Sequence, residues 1–142
     1  MTLNLCRKLE EMYHQASVNN IYRPTLSLKE GASIITMPVD PKLFHAAAAL
    51  HGSVYFKMLD DAAYFAAQTF EHEFFLVTSQ FNIYFHRSVN EGVLRAEGAV
   101  THRSRSLTIA TAQVFDDAGR LAASGSGIFV KSKKTLSSLF PT

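Results

Sequence analysis

With 142 residues, 47% hydrophobic and 18% charged, the chain has the composition of one packed domain, not of a disordered segment or of two separate cores. Fourteen basic and 12 acidic residues leave a net charge of +2, too weak a field for the phosphate attraction that carries nucleic-acid binding. The single cysteine, Cys6, excludes an intramolecular disulfide framework and any all-cysteine metal site, and points to the cytoplasm.

In residues 2–18, Leu5, Leu9, Met12 and Tyr13 recur at helical spacing and predict an opening amphipathic helix. Asn4, Arg7 and Lys8 interrupt this stretch before an apolar run of signal-peptide length can form. Pro24 ends the region. Thr25-Leu26-Ser27-Leu28 and Ile34-Ile35-Thr36-Met37 flank Lys29-Glu30-Gly31 and read as a strand hairpin. Pro38 and Pro41 then punctuate a loop that carries Asp40.

From 51 to 70, Val54, Met58, Ala62, Phe65 and Thr69 recur every three or four residues, widened by Tyr55, Leu59, Ala63 and Ala66. This predicts one long helix of about 30 Å. Lys57, Asp60, Asp61 and Gln68 break its apolar character short of the roughly 20 residues a membrane span requires.

Residues 74–88, 93–103, 106–116 and 120–131 are rich in Phe, Val, Ile, Tyr and Thr and are separated by turn-forming segments. Short connections of this kind predict an antiparallel meander. With one long apolar helix to cover such strands, the expected class is α+β: a curved antiparallel sheet wrapping a central helix, with a core over about 24–131 and a short tail. Ala96, Gly98, Ala110, Ala112, Ala123, Gly125 and Gly127 provide small positions for close helix approach. In the first long strand, strict alternation puts Val77, Phe81, Ile83 and Phe85 on the core face, and Thr78, Gln80, Asn82 and Tyr84 on a wet or ligand-occupied one.

Asp60 and Asp61 are adjacent carboxylates in an alanine-rich, burial-prone helix. A carboxylate withdrawn from water must find donors or change its protonation state. Chemistry is one reading, and ordinary ion pairing with Lys57, one helical turn earlier, is the other. His45, His51, His72, His86 and His102 fall in separate elements without a metal-binding spacing, so no metal site is expected.

His51-Gly52-Ser53, a carboxylate nine residues after His51, and the strand Phe81-Asn82-Ile83-Tyr84-Phe85-His86-Arg87-Ser88-Val89 together resemble the hotdog-fold acyl-CoA thioesterases. The similarity is to the branch of the phenylacetic-acid-degradation (PaaI-like) thioesterases and extends over roughly residues 33–131. It implies hydrolysis of an acyl-CoA or aryl-CoA thioester to free acid and coenzyme A, with no cofactor beyond the substrate. It also implies homodimers joined sheet edge to sheet edge, often paired into tetramers, with active sites between subunits and no membrane partner.

By position, Asp60 would be the nucleophile or general base, the Gly52 N–H would help hold the thioester oxygen, and Thr78 would orient the attacking water. His45 stands where some relatives carry an asparagine, and Ser53 where they carry a second glycine. His51, Ser53, Asn82, Arg87, Arg103 and Arg105 are the substrate-binding candidates, the arginines for the phosphates of coenzyme A. A non-catalytic acyl-CoA-binding module and a dehydratase acting on hydroxyacyl thioesters are the alternatives on the same fold.

Overall fold

The computed structural model describes residues 2–141. In chain order it contains helices α1 (Thr2–Gln15) and α2 (Asn19–Tyr22), strands β1 (Thr25–Lys29) and β2 (Ala32–Pro38), helix α3 (Gly52–Gln68), and strands β3 (Phe74–Phe85), β4 (Val93–Arg103), β5 (Thr108–Phe115) and β6 (Leu121–Thr135). The strands form one antiparallel sheet in the order β1-β2-β4-β5-β6-β3.

Helix α3 is the centre of the core. Val54, Met58, Leu59, Ala62, Ala63, Ala66 and Ala67 are almost fully buried, and each larger apolar side chain among them contributes roughly 1.5–3 kcal/mol on burial. The sheet meets this helix with Ala96, Ala110, Ala112 and Ala123, all buried. At Gly98 the approach is closest: a Cβ there would collide with the backbone carbonyl of Ala62, which also accepts a hydrogen bond from Ser33 Oγ at 2.5 Å. The small-residue pattern therefore sets how near helix and sheet can lie.

The expected four-strand meander is corrected. Strands β4, β5 and β6 do meander, but β3 pairs with β6 at the far edge and β2 takes the place beside β4. Residues 86–92 are the reason, because backbone hydrogen bonds carry them across the end of the sheet instead of into a tight hairpin. The Leu50 N–H donates to Val89 O and the Val39 N–H to Gly92 O, both at 2.9 Å. Two boundaries also move. The opening helix stops at Gln15 and turns into α2, and the last strand continues to Thr135. The tail then folds back through the Leu136 N–H, which donates to Glu73 O at 2.8 Å.

Among the described residues, no helix is long and apolar enough to cross a membrane.

Candidate active site

Strict alternation fails in β3, and the failure builds the site. Thr78 lies opposite Phe129 on β6 but Gln80 lies opposite Ile128, so Ser79 is an extra residue in a β-bulge. The bulge exchanges the two faces. Before it Leu76 and Thr78 face the helix; after it Phe81 and Ile83 do, while Gln80, Asn82 and Tyr84 stay outside. The expected grouping of Thr78 with Asn82 and Tyr84 is therefore corrected, and so is the core assignment of Val77, which is exposed. Phe85 is exposed as well; its ring lies beside Gly52 at the helix start. With its side chain turned inward, Thr78 Oγ1 donates a 2.8 Å hydrogen bond to Asp60 Oδ1.

The two carboxylates have different surroundings. Asp61 Oδ2 accepts from Lys57 Nζ at 2.6 Å and from the Tyr13 hydroxyl at 2.8 Å, in a pair whose side chains are largely buried. The Lys57 ammonium also sits over the rings of Tyr13 and Tyr22, 5.3 and 5.1 Å from their centroids. Asp61 thus pins α1 onto α3. Asp60 lines the same cleft as Asp61 but is held by Thr78, not by Lys57 and Tyr13. Burial raises its pKa above the ordinary carboxylate value, donation from Thr78 and the charge of Lys57 pull it back, and the charge of Asp61 pushes it up.

Tyr64, one turn beyond Asp60, donates to Gln68 Oε1 at 2.7 Å, and the Leu76 N–H donates to the same oxygen at 2.9 Å. Gln68 Nε2 in turn donates to the carbonyls of Glu71 and Phe74, both at 3.0 Å. This buried network ties the start of β3 to the end of α3 and so fixes Thr78 opposite Asp60. Burial pushes the Tyr64 and Tyr13 hydroxyls far above the usual phenol range, so both remain neutral donors.

Replacement of Thr78 by valine tests the pairing through pH. The threonine donates to the charged form of Asp60, so its loss raises the carboxyl pKa further. The acid limb of the pH profile of any reaction that draws on Asp60 as a base is expected to move to higher pH in Thr78→Val. A limb that stays in place, or moves down, would show that the hydroxyl does not act on Asp60.

Asp60 and Thr78 open onto a cleft of about 690 Å³, bounded by α1, α3, the first residues of β3 and the C-terminal segment. The other predicted residues lie elsewhere. Gly52, the first residue of α3, is about 12 Å from Asp60 along the helix axis at 1.5 Å per residue, too far for one carbonyl to touch both within a single chain. His51 caps α3, its Nδ1 accepting from the Ser53 N–H at 3.0 Å and lying 2.8 Å from Ser53 Oγ. His45 is exposed in the preceding loop, with Nδ1 accepting from the Ala47 N–H at 3.0 Å. Asn82 is on the outer face of β3, and Arg87 is exposed where the chain leaves that strand.

The Arg103 guanidinium stacks on Phe70, 3.9 Å from the ring centroid. With Arg105, Ser104, Ser106 and Lys131 it lines a separate polar pocket of about 230 Å³. Of the sequence candidates, one chain brings Asp60 and Thr78 together and leaves Gly52, His45 and the arginines apart from them. Tyr13, Tyr64 and Gln68 were not anticipated. A partial signal exists, since Lys57, Asp60, Asp61 and Tyr64 share one helix face.

A family model described as the thioesterase superfamily matches residues 48–123, more than half of the chain. A Saccharolobus solfataricus protein, named provisionally as an esterase, is 27% identical over 108 residues, covering 76% of this chain and 72% of its own length. Among solved structures, the E. coli PaaI protein from the phenylacetic acid degradation operon superposes with a TM-score of 0.83 at 21% identity, over 91% of this chain and 94% of that one. A Haemophilus influenzae thioesterase superposes with a TM-score of 0.76 at 18% identity, over 92% and 89% of the two chains. The shared architecture is the hotdog fold, a long helix wrapped by a curved antiparallel sheet.

Proposed function

The chain belongs to the thioesterase superfamily, and from that membership we propose that it hydrolyses an acyl-CoA or aryl-CoA thioester to the free acid and coenzyme A, in a site completed by a second copy of itself. The observation that carries this reading is the Asp60–Thr78 pair on an open cleft: a carboxylate with raised proton affinity, held by one donor. Thr78 occupies Oδ1, which leaves Oδ2 to take a proton from water. The hydroxide adds to the thioester carbonyl, the C–S bond breaks, and the proton passes from Asp60 to the departing thiolate. Direct attack by the carboxylate, followed by hydrolysis of the resulting anhydride, is the variant of the same mechanism.

The oxyanion needs donors where charge develops. The first turn of α3 supplies partial positive charge and the Gly52 N–H, the Ser53 and Val54 N–H groups being taken by His51. Because a single chain separates Gly52 from Asp60, the amide is assigned to the partner subunit. Strand β3 supports the assembly: it is an edge strand of 12 residues with Val77, Tyr84 and Phe85 exposed, and pairing with its copy would cover that edge. Dimers of such dimers are part of the proposal.

His45 has Nε2 left to orient water. Arg103 and Arg105, in their polar pocket, and Arg87 would grip the phosphates of coenzyme A. No cofactor is required, since coenzyme A is the leaving group, and the reaction belongs in the cytoplasm, where acyl-CoA esters are made and used. Free-thiol release from a panel of acyl- and aryl-CoA esters tests the reading. Tight binding of every ester without turnover would replace it with a binding module, and hydration of an enoyl-CoA would replace it with a dehydratase.

A further inference from the structure

Two adjacent carboxylates share one cleft, and each charge raises the proton affinity of the other, so an unassisted pair tends to keep one proton between its members. Little in the cleft opposes this. Among the described residues that line it, Lys57 is the one other charged group, and Tyr13 and Tyr64 are the remaining titratable ones. The residues that α2, β3 and the C-terminal segment bring to it are uncharged. The Tyr64 hydroxyl is engaged with Gln68. Lys57 Nζ and the Tyr13 hydroxyl both donate to Asp61 Oδ2, at 2.6 and 2.8 Å, while Asp60 Oδ1 accepts from Thr78. The Lys57 side chain is only 13% exposed, and its ammonium lies over the rings of Tyr13 on α1 and Tyr22 on α2.

We propose that Lys57 is a positioning residue for the reaction: seated on aromatic rings from α1 and α2, it neutralises Asp61, keeps the two aspartates from sharing a proton, and so leaves Asp60 ionised and able to act as a base. The inference rests on the hydrolase reading and adds the group that governs its base. Two features of the geometry support it. Lys57 precedes Asp60 and Asp61 by three and four residues on one face of α3, so its charge acts on both, through a hydrogen bond at Asp61 and through space at Asp60. The seat of the ammonium comes from elsewhere in the chain. Tyr13 and Tyr22 lie outside residues 48–123, the segment matched by the family model, so the docking of α1 and α2 is what holds Lys57 against Asp61 and out of solvent. The result is an asymmetric pair. Asp60 faces a neutral ion pair instead of a bare negative charge; its proton affinity is raised mainly by burial, with Asp61 and Lys57 acting in opposite directions.

The test follows the Asp60 carboxyl directly, by NMR titration of intact protein labelled with carbon-13 at the aspartate carboxyl carbons, its resonance assigned from its loss in Asp60→Asn. In Asp61→Asn the asparagine oxygen still accepts from Lys57 and Tyr13, so Asp60 loses its negative neighbour and keeps the positive one. Its midpoint is expected to fall by about one pH unit. In Lys57→Met an unneutralised Asp61 faces Asp60, and the midpoint is expected to rise by about one to two pH units, with both carboxyls following two coupled steps. Lys57→Met combined with Asp61→Asn removes both charges and is expected to fall between the single variants. This double variant buries no lone charge, so its difference from Asp61→Asn still measures Lys57 should Lys57→Met fail to fold. Midpoints that stay in place, or that move in the same direction in the two single variants, overturn the proposal, because both variants break the same salt bridge and a purely structural role moves them alike. Equal midpoints in Asp61→Asn and the double variant overturn it as well. Thiol release from acyl- and aryl-CoA esters, measured across pH, separates the two readings. An acid limb that follows the Asp60 midpoint from variant to variant supports both. Opposite midpoint shifts without thiol release retire the hydrolase and keep the arrangement of charges, whereas hydrolysis with midpoints that move alike does the reverse.

Discussion

Asp60→Asn is expected to lower kcat for thioester hydrolysis by about 10²- to 10⁴-fold, the usual contribution of a positioned general base, with little change in KM. The substitution keeps the shape of the site. Asparagine Oδ1 can still accept the 2.8 Å hydrogen bond from Thr78, and the ion pair between Lys57 and Asp61 beside it is untouched. What disappears is the oxygen able to take a proton or attack a carbonyl. Turnover that persists in the variant would place the chemistry on another group and end the mechanism.

The same carboxyl links activity and stability to pH with opposite signs. Its folded pKa is raised, mainly by burial, so the unfolded chain ionises it at lower pH than the native protein does. Its favourable share of stability is fully present below the ordinary carboxylate value and is lost as pH rises through the folded value. At neutral pH the native state therefore bears the cost of a partly desolvated charge, which Asp60→Asn removes. The variant is expected to melt above the wild type at neutral pH, with the gap closing toward pH 4. Activity runs the other way, because the base form does the work and kcat/KM falls as pH drops through the same raised value. A variant that melts below the wild type at neutral pH would mean that the charged form is stabilised in the fold, not penalised.

How far the sequence revealed this arrangement depended on the range of the interaction involved. Helix α3 and strand β4 followed from periodicity, because a helix face and a strand face repeat locally and the alanine positions declare close packing. The place of β3 did not, since nothing local in residues 86–92 says that their backbone will bind Leu50 and Val39 across the sheet end. The Ser79 bulge was equally silent: one unpaired residue reverses every later side chain yet leaves an unbroken pattern of β-formers. Asp60 stood out by spacing within the resemblance, but its contact with Thr78 lies 18 residues away and needs that bulge. The Tyr13 hydroxyl reaches Asp61 across 48 residues, so what separates the two aspartates chemically comes from a helix whose own sequence shows only amphipathicity.

Gly98→Ala is expected to cost about 3 kcal/mol, near the upper end for overpacking a tight core, and to lower the melting temperature by about 10 °C. An added Cβ would run into the carbonyl of Ala62, with Ser33 Oγ only 2.7 Å away. That carbonyl cannot swing aside cheaply, since it holds the Ser33 hydroxyl at 2.5 Å while Ala62 itself is fully buried. Gly119 provides the contrast. Its φ of +80° strains any side chain, but no atom lies within 4 Å of an added Cβ, so Gly119→Ala is expected to cost about 1 kcal/mol from left-handed backbone strain alone. Parallel thermal melts followed by circular dichroism separate the two effects, and equal shifts would show that closeness to α3 is not what holds a glycine at position 98. The larger shift also has a functional component. To relieve the contact α3 must move off the sheet, carrying Asp60, two residues before Ala62, away from Thr78, so the Gly98→Ala protein that remains folded should lose kcat as well as stability, whereas Gly119→Ala should lose only stability.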